Sequence, residues 1–488
     1  MDREEGVDIG LWERCANEDQ LYAWVQNFLQ LRMPRRGVCA GHQSPFEYLK
    51  HAYFEPGKDV VVWAPRGGGK TRLGAAATLL DLLHKPGVCV RILGGSLEQS
   101  LRMWEHLLPD ITIYCKDKID GKLGARRFRL VNGSSAGVVT QSQRAVRGLR
   151  VQKLRCDEVE MFDRRVWEAA QLITKTRPAD AKTGEPAISG VVEAFSTLHR
   201  PGGLMESIVD NAKETGVRVI RWCVLEVLQK CPRERDCAAC PLDEDCHGIA
   251  KKDCDGFLSI DDAIAMKRRV SRETWEAEML CRRPSRTGRV FGTFDVDVHV
   301  REELPAADAG SPQIDPKAEG MYLGIDFGFR NPFVCLWIWR DRHGRSIVID
   351  EYVQSEVDLA GHIEAIRARP HGGAVRVTCD PAGCARNEQT GTSNVQRLRD
   401  AGFKVACRAS RIPDGLEMIR AGLRSGTGQV SLFIHPRCKQ LILAMRTYHY
   451  GDRDRAEVPA KDGPDHLVDA LRYYFVSRDA GEGKVGWY

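Results

Sequence analysis

One stretch restricts this chain more than any other: Val60-Val61-Val62-Trp63-Ala64-Pro65-Arg66-Gly67-Gly68-Gly69-Lys70-Thr71. Three β-branched residues in succession predict a buried strand, and the Ala- and Leu-rich run Leu73 to Leu83 predicts a helix. A strand, a glycine loop and a helix N-terminus make a phosphate cradle. Backbone N–H groups of Arg66 to Gly69 can approach a phosphate chain, Lys70 can reach its terminal groups, and the Thr71 hydroxyl can hold Mg²⁺. Ala64 stands where the strict pattern has glycine, so the match is a variant one.

At 488 residues the chain has room for two or three domains, each with its own core. Charged residues at 28% against 43% hydrophobic ones exclude a low-complexity or disordered class. No run of about 18 apolar residues argues for a membrane span, and Met1-Asp2-Arg3-Glu4-Glu5 has no basic n-region. These features predict a cytosolic protein. The net charge of +5 is mild but uneven: Lys122 to Arg155 carries nine Lys or Arg and no acid, and Arg282, Arg283, Arg286 and Arg289 form a second cluster. Both stretches suit a polyanion.

Downstream of the loop, Cys89 to Ser96 predicts a second strand and Leu97 to Leu108 a helix. Strand, helix, strand, helix in that order predicts a parallel α/β sheet with ligands at the carboxyl ends of its strands. Lys153 to Phe162 delivers Asp157-Glu158 from a short strand, although Lys153 and Arg155 interrupt its apolar pattern. Opposite a phosphate loop, Asp157 suits Mg²⁺ and Glu158 suits the base that activates water. Ile188 to Phe195 reads as another strand, and Ser196-Thr197 at its end can sense a γ-phosphate. The N-terminal region contributes one amphipathic segment, Leu21 to Leu31.

Seventeen cysteines would mean disulfides in a small secreted chain, but most lie singly in apparent core strands. Cys231, Cys237, Cys240 and Cys246 are different, with five, two and five residues between them. The central pair has the loop spacing at which two thiolates chelate one centre, and the pattern resembles the iron–sulfur staple of some DNA nucleases, with zinc as the alternative.

Helical stretches from Ile260 to Arg269 and Glu273 to Leu280 lead to a Pro-rich, acidic linker, Glu302 to Glu319. Beyond it Tyr322 to Asp326, Phe333 to Trp339 and Ser346 to Val353 predict three strands of a meander. A helix from Leu359 to Arg367 precedes the strand Val375 to Asp380, and a final helix carries Asp465 and Asp469 on one face. Carboxylates ending the first strand, ending a later strand and on the last helix describe an RNase H-like nuclease. Two Mg²⁺ or Mn²⁺ ions would neutralise such a cluster while activating water.

The order and spacing of the phosphate loop, Asp157-Glu158 and the series Asp326, Asp380, Asp469 resemble the large subunit of the terminase of tailed bacteriophages. The resemblance runs from about residue 40 to 478. The residues and the resemblance together divide an α/β chain into an N-terminal helical segment (1–45), a P-loop ATPase domain (46–225), a cysteine-rich metal-binding insert (226–258), a helical subdomain and linker (259–318), an RNase H-like nuclease domain (319–478) and a tail (479–488). The resemblance implies ATP-driven translocation of double-stranded DNA into a procapsid and cutting of concatemers. Partners would be the portal protein, the small terminase subunit and further copies in a ring, in the host cytoplasm. By the same resemblance Lys70, Thr71 and Asp157 bind nucleotide and Mg²⁺, Glu158 is the base and Ser196-Thr197 couple hydrolysis to movement. Arg66 or an arginine between Arg144 and Arg150 would stabilise transferred charge. Asp326 and Asp380 bind the nuclease metals, with Asp465 and Asp469 competing for the third place. The cysteine insert departs from the family's pattern. Two rival readings are a helicase-nuclease outside packaging and a capsid-docking subunit with degenerate chemistry.

Overall fold

The computed structural model describes residues 9–54, 57–140, 148–181, 184–284, 289–303, 320–370, 376–386, 391–450, 459 and 465–478. Arg144, Arg147 and Arg286, the linker beyond Glu303 and the tail from residue 479 lie outside them. The chain divides into two units: Met1–Ala265 with Thr274–Pro284, and Met266–Glu273 with Ser285–Tyr488. Among the described residues no helix is long and apolar enough to cross a membrane.

The first unit is built on seven strands: β1 (Val60–Trp63), β2 (Cys89–Gly94), β3 (Arg127–Arg129), β4 (Ser135–Val139), β5 (Lys153–Asp157), β6 (Val191–Ser196) and β7 (Arg218–Arg221). They are ordered β3-β4-β2-β5-β6-β1-β7. All neighbours run parallel except β3 against β4. The β1 run is buried along its whole length, as an interior strand of a doubly covered sheet should be. Its neighbour β6 aligns Ser196 with Trp63, and β5 aligns Asp157 with Phe195 of β6. The strand ends that carry the phosphate loop, Asp157 and Ser196 therefore share one edge.

Three sequence expectations need adjustment. The helix predicted to stop at Leu108 runs from Leu97 to Tyr114 through Pro109. Proline removes one backbone donor, yet Asp110 directly after it is clamped by Arg72 at 2.5 Å, which helps to hold the turn. The strand expected from Ile188 begins at Val191, because Ile188 instead bridges Arg177. Lys153 and Arg155 do not face a polyanion, since both are buried. The Arg155 guanidinium bonds Asp81 (2.6 Å), Glu193 (3.1 Å) and the Thr78 hydroxyl (3.0 Å), and the Tyr48 hydroxyl donates to Glu193 (2.5 Å). A buried charge is tolerated when it is paired and fully hydrogen-bonded. In the second basic cluster Arg282 pairs with Glu276 (3.1 Å) and Arg283 with Asp210 (2.6 Å).

At the N-terminus the amphipathic segment forms a helix, Glu18–Trp24, continued by a π-turn, Val25–Leu29. It buries Leu21, Trp24, Val25 and Leu29 in the core beneath the sheet.

The second unit is a six-stranded mixed sheet of β8 (Met321–Asp326), β9 (Phe333–Arg340), β10 (Ser346–Gln354), β11 (Arg376–Cys379), β12 (Lys404–Ala406) and β13 (Leu432–Ile434). The order is β12-β11-β8-β9-β10-β13. The first three strands form the antiparallel meander expected from the sequence, and β11 joins β8 in parallel. The last described helix, Asp465–Ser477, packs against β8, β9 and β11. Its approach depends on Gly324, where a Cβ would stand 2.6 Å from the carbonyl oxygen of Ala470.

Candidate functional sites

The phosphate loop follows β1 directly. Gly67 (φ +68°) and Gly69 (φ +84°) adopt left-handed conformations that glycine accepts without strain, and the helix Lys70–His84 starts at once. The Thr71 hydroxyl donates to Asp157 Oδ2 (2.9 Å) and Lys70 Nζ pairs with Glu158 Oε1 (3.1 Å). Ser196 Oγ donates to the other Glu158 oxygen at 3.4 Å and accepts the Glu160 N–H at 3.3 Å. Glu158 itself sits at φ +55°, a conformation that costs a non-glycine residue about 1–3 kcal/mol. Its carboxylate meets Lys70 on one oxygen and Ser196 on the other.

Asp157 is almost wholly buried, and its Oδ1 has no hydrogen-bond partner. Burial, reinforced by the neighbouring Glu158 charge, pushes its carboxyl up to about 6. A carboxylate oxygen left unpaired beside a phosphate loop is a ready position for a cation. Thr197, the residue after Ser196, shares a 2.8 Å hydrogen bond with His199 Nδ1. Burial, then the charges of Arg200 and Arg66, hold His199 down to about 4. Arg66 is exposed on its side chain and pairs with Glu278, while its N–H donates to the Glu278 carbonyl (3.1 Å).

One contact has no counterpart in the sequence reading. The buried Trp222, just past β7, donates its indole N–H to the Gly68 carbonyl at 3.0 Å. The two residues are 154 positions apart, so no local pattern reveals the pairing.

In the second unit Asp326 ends β8 and is buried. Burial raises its carboxyl above the usual range; a hydrogen bond with His466 opposes that shift, and the charges of Asp469 and Asp380 add to it. Tyr473 is likewise raised by burial and then by Asp469, Asp326 and Asp380. These three carboxylates thus share one field. Asp380 follows β11 and accepts the Ala382 N–H (2.9 Å), so it serves also as a cap. Asp469 accepts from Arg472 (2.8 Å). Asp465, one turn earlier, is buried, and it is not among the principal charges that act on Asp326. His466, whose Nδ1 lies 2.8 Å from Asp326 Oδ2, escapes a sequence reading, because a single histidine between two aspartates carries no signal.

The four clustered cysteines line one small cavity, together with Arg235, Lys251 and apolar residues. Cys237 and Cys240 flank a tight turn (Cys240 N–H to Cys237 carbonyl, 2.9 Å), and the Ala250 N–H donates to Cys246 Sγ (3.4 Å). Among the described residues they do not form a set of three ligand atoms mutually within 4.8 Å.

Comparison with known proteins adds independent support. Residues 323–478 match the Terminase RNaseH-like domain family. A large terminase from a thermophilic bacteriophage superposes with a TM-score of 0.53, covering 88% of this chain and 97% of that one at 14% identity. The chain has the fold of a phage large terminase. The same thermophilic-phage terminase, solved in complex with ADP, gives a TM-score of 0.52 at 14% identity, covering 90% of this chain and 98% of that one. No curated protein sequence matches. The terminase fold accounts for both units, a parallel sheet with a phosphate loop and an RNase H-like sheet.

Proposed function

We propose that the chain is the motor and nuclease of viral DNA packaging, hydrolysing ATP to translocate double-stranded DNA into a procapsid and cutting concatemers to length. The observation that carries this reading is the pairing, in one terminase fold, of two complete carboxylate sites. One is Asp157-Glu158 against Lys70 and Thr71, and the other is Asp326 at the end of β8 with Asp380 and Asp469 near enough for their charges to act on it. The thermophilic-phage terminase of the same fold was solved with ADP, which agrees with a nucleotide at the phosphate loop.

The residues fit the ions this chemistry requires. At the phosphate loop Thr71 and Asp157 would hold Mg²⁺, and the unpaired Asp157 Oδ1 is free for it. Glu158 accepts the proton of the attacking water. It must first leave Lys70, and a triphosphate that draws Lys70 to its own oxygens would release it. Ser196, bonded to the same carboxylate, senses that release, and Thr197 passes it to His199. In the nuclease Asp326, Asp380 and Asp469 would hold Mg²⁺ or Mn²⁺, which supply water activation and leaving-group stabilisation. Asp469 takes the third place over Asp465 because Asp326 feels its charge. The four cysteines line one small cavity that would hold an iron–sulfur cluster, with zinc as the alternative. A brown anaerobic preparation that bleaches in air checks that assignment, and a colourless protein with zinc at that site would refute it.

Portal protein, small terminase subunit and further copies in a ring are the partners this role requires, in the host cytoplasm. The decisive experiment is packaging in vitro with procapsids, ATP and linear duplex DNA. Nuclease-protected DNA that depends on Lys70 is the expected result. Strand separation without protection would instead favour a helicase-nuclease.

A further inference from the structure

Outside the two carboxylate sites and the cysteine cavity, the first unit brings together Cys39, His42, Cys223 and Glu226, which neither the packaging role nor the cysteine insert uses. One ligand atom from each lies within 4.8 Å of the others. The Cys39 and Cys223 sulfurs are 3.8 Å apart, and His42 Nδ1 lies 3.0 Å from Glu226 Oε2 and 3.2 Å from Oε1. Zinc–sulfur bonds of about 2.3 Å in a tetrahedron place two sulfurs about 3.8 Å apart. A disulfide would need about 2.05 Å.

We propose that Cys39, His42, Cys223 and Glu226 bind one structural zinc ion that fastens the N-terminal segment to the end of β7. The donor set is a two-thiolate, one-imidazole, one-carboxylate site, and each half contributes two ligands separated by two residues. The site is enclosed: Cys223 is buried, and the His42 and Glu226 side chains are 7% and 0% exposed. Its ligands are already oriented by the backbone. Glu226 accepts the N–H groups of Cys39 (2.9 Å) and Cys223 (2.6 Å), and Cys223 Sγ accepts the Leu225 N–H (3.4 Å). Such outer hydrogen bonds fix ligand orientation in metal sites.

The placement gives the ion a task. Gln43, next to His42, exchanges two hydrogen bonds with Arg221 (2.7 and 2.8 Å), and Cys223 directly follows Trp222, whose indole holds the Gly68 carbonyl. A metal here secures the segment that steadies the phosphate loop, whichever reaction that loop serves.

The test uses the full chain, purified without added chelator and assayed for zinc and iron by elemental analysis. The double variant C39S/C223S should lose one zinc per chain with iron unchanged, whereas C237S/C240S should lose iron with zinc unchanged. Because the first variant could misfold, the wild type is also mapped by thiol alkylation and mass spectrometry. Cys39 and Cys223 should resist alkylation until a zinc chelator is added and then react, with the KM for ATP rising as they do. Zinc content unaltered in C39S/C223S would overturn the proposal. So would a Cys39–Cys223 disulfide opened by reductant and not by chelator, or thiols that react equally with and without zinc.

Discussion

In the phosphate-loop unit each functional carboxylate is met by a donor: Glu158 by Lys70 and Ser196, and Asp157 by Thr71. In the RNase H-like unit Asp326 has one histidine beside it and is otherwise pressed upon by Asp469 and Asp380. The first site is balanced by its own chain and has to be unlocked by a ligand. The second sets three carboxylates against His466, one backbone N–H and Arg472, and on the proposed function cations from outside would complete it. On the proposed function, the first arrangement is a switch and the second a metal site.

That contrast can be broken in four ways. The largest effect expected is from Glu158→Gln, which should lower ATP turnover about a thousandfold by removing the base while leaving metal-dependent cleavage of plasmid DNA intact. Phosphate release at the wild-type rate would end the assignment. Asp380→Ala should act in the opposite sense, costing cleavage at least about a hundredfold through loss of metal-based stabilisation with ATP turnover preserved, as read on a supercoiled plasmid and in a coupled ATPase assay. Gly324→Ala tests the geometry under the nuclease cluster. The added methyl pushes the helix Asp465–Ser477 off β8, and a loss of about 1–3 kcal/mol is expected. Urea titration should place that loss in the nuclease unit alone.

The smallest effect is a difference of sign in pH dependence, with EDTA present. His199 has a folded-state value near 4, below the usual histidine range, so the unfolded chain binds the extra proton. In the first unit His199 should contribute a loss of stability as pH falls from about 6.5 to about 4, with a slope of at most about 1.4 kcal/mol per pH unit, and Asp157, raised to about 6, opposes it with a gain over the lower part of the same range. Asp326 is shifted upward, so the folded state binds the proton more tightly. Over the acid-to-neutral range the second unit should gain stability as pH falls. Hydrogen exchange resolved by unit measures both slopes, and His199→Gln should leave the Asp157 contribution unopposed, turning the first unit's slope toward the sign of the second.

Much of this was legible in the sequence, and the reasons are physical. β1 is buried along its whole length, so unbroken Val60-Val61-Val62 announced it, and glycines with a lysine announced the loop. The meander from β8 to β10 showed for the same reason. β5 was harder to read because Arg155 looks misplaced until Asp81 and Glu193, 74 and 38 residues away, are seen to neutralise it. Asp465 and Asp469 are one turn apart on one face, so the sequence alone cannot separate them, whereas in the fold Asp469 is the one whose charge acts on Asp326. The four cysteines within sixteen residues stand out in the sequence, whereas the 3.8 Å approach of Cys39 and Cys223, 184 residues apart, does not.

The Arg155 knot has a mechanical consequence. It joins the helix that begins at Lys70 to β5 two residues before Asp157 and to β6 three residues before Ser196. The three elements bearing the lysine, the acidic pair and the coupling serine are therefore pinned together at one level of the sheet and open only at their far ends. Rods fastened this way cannot slide past one another, so the free play of a turnover cycle collects in the loops at the tips.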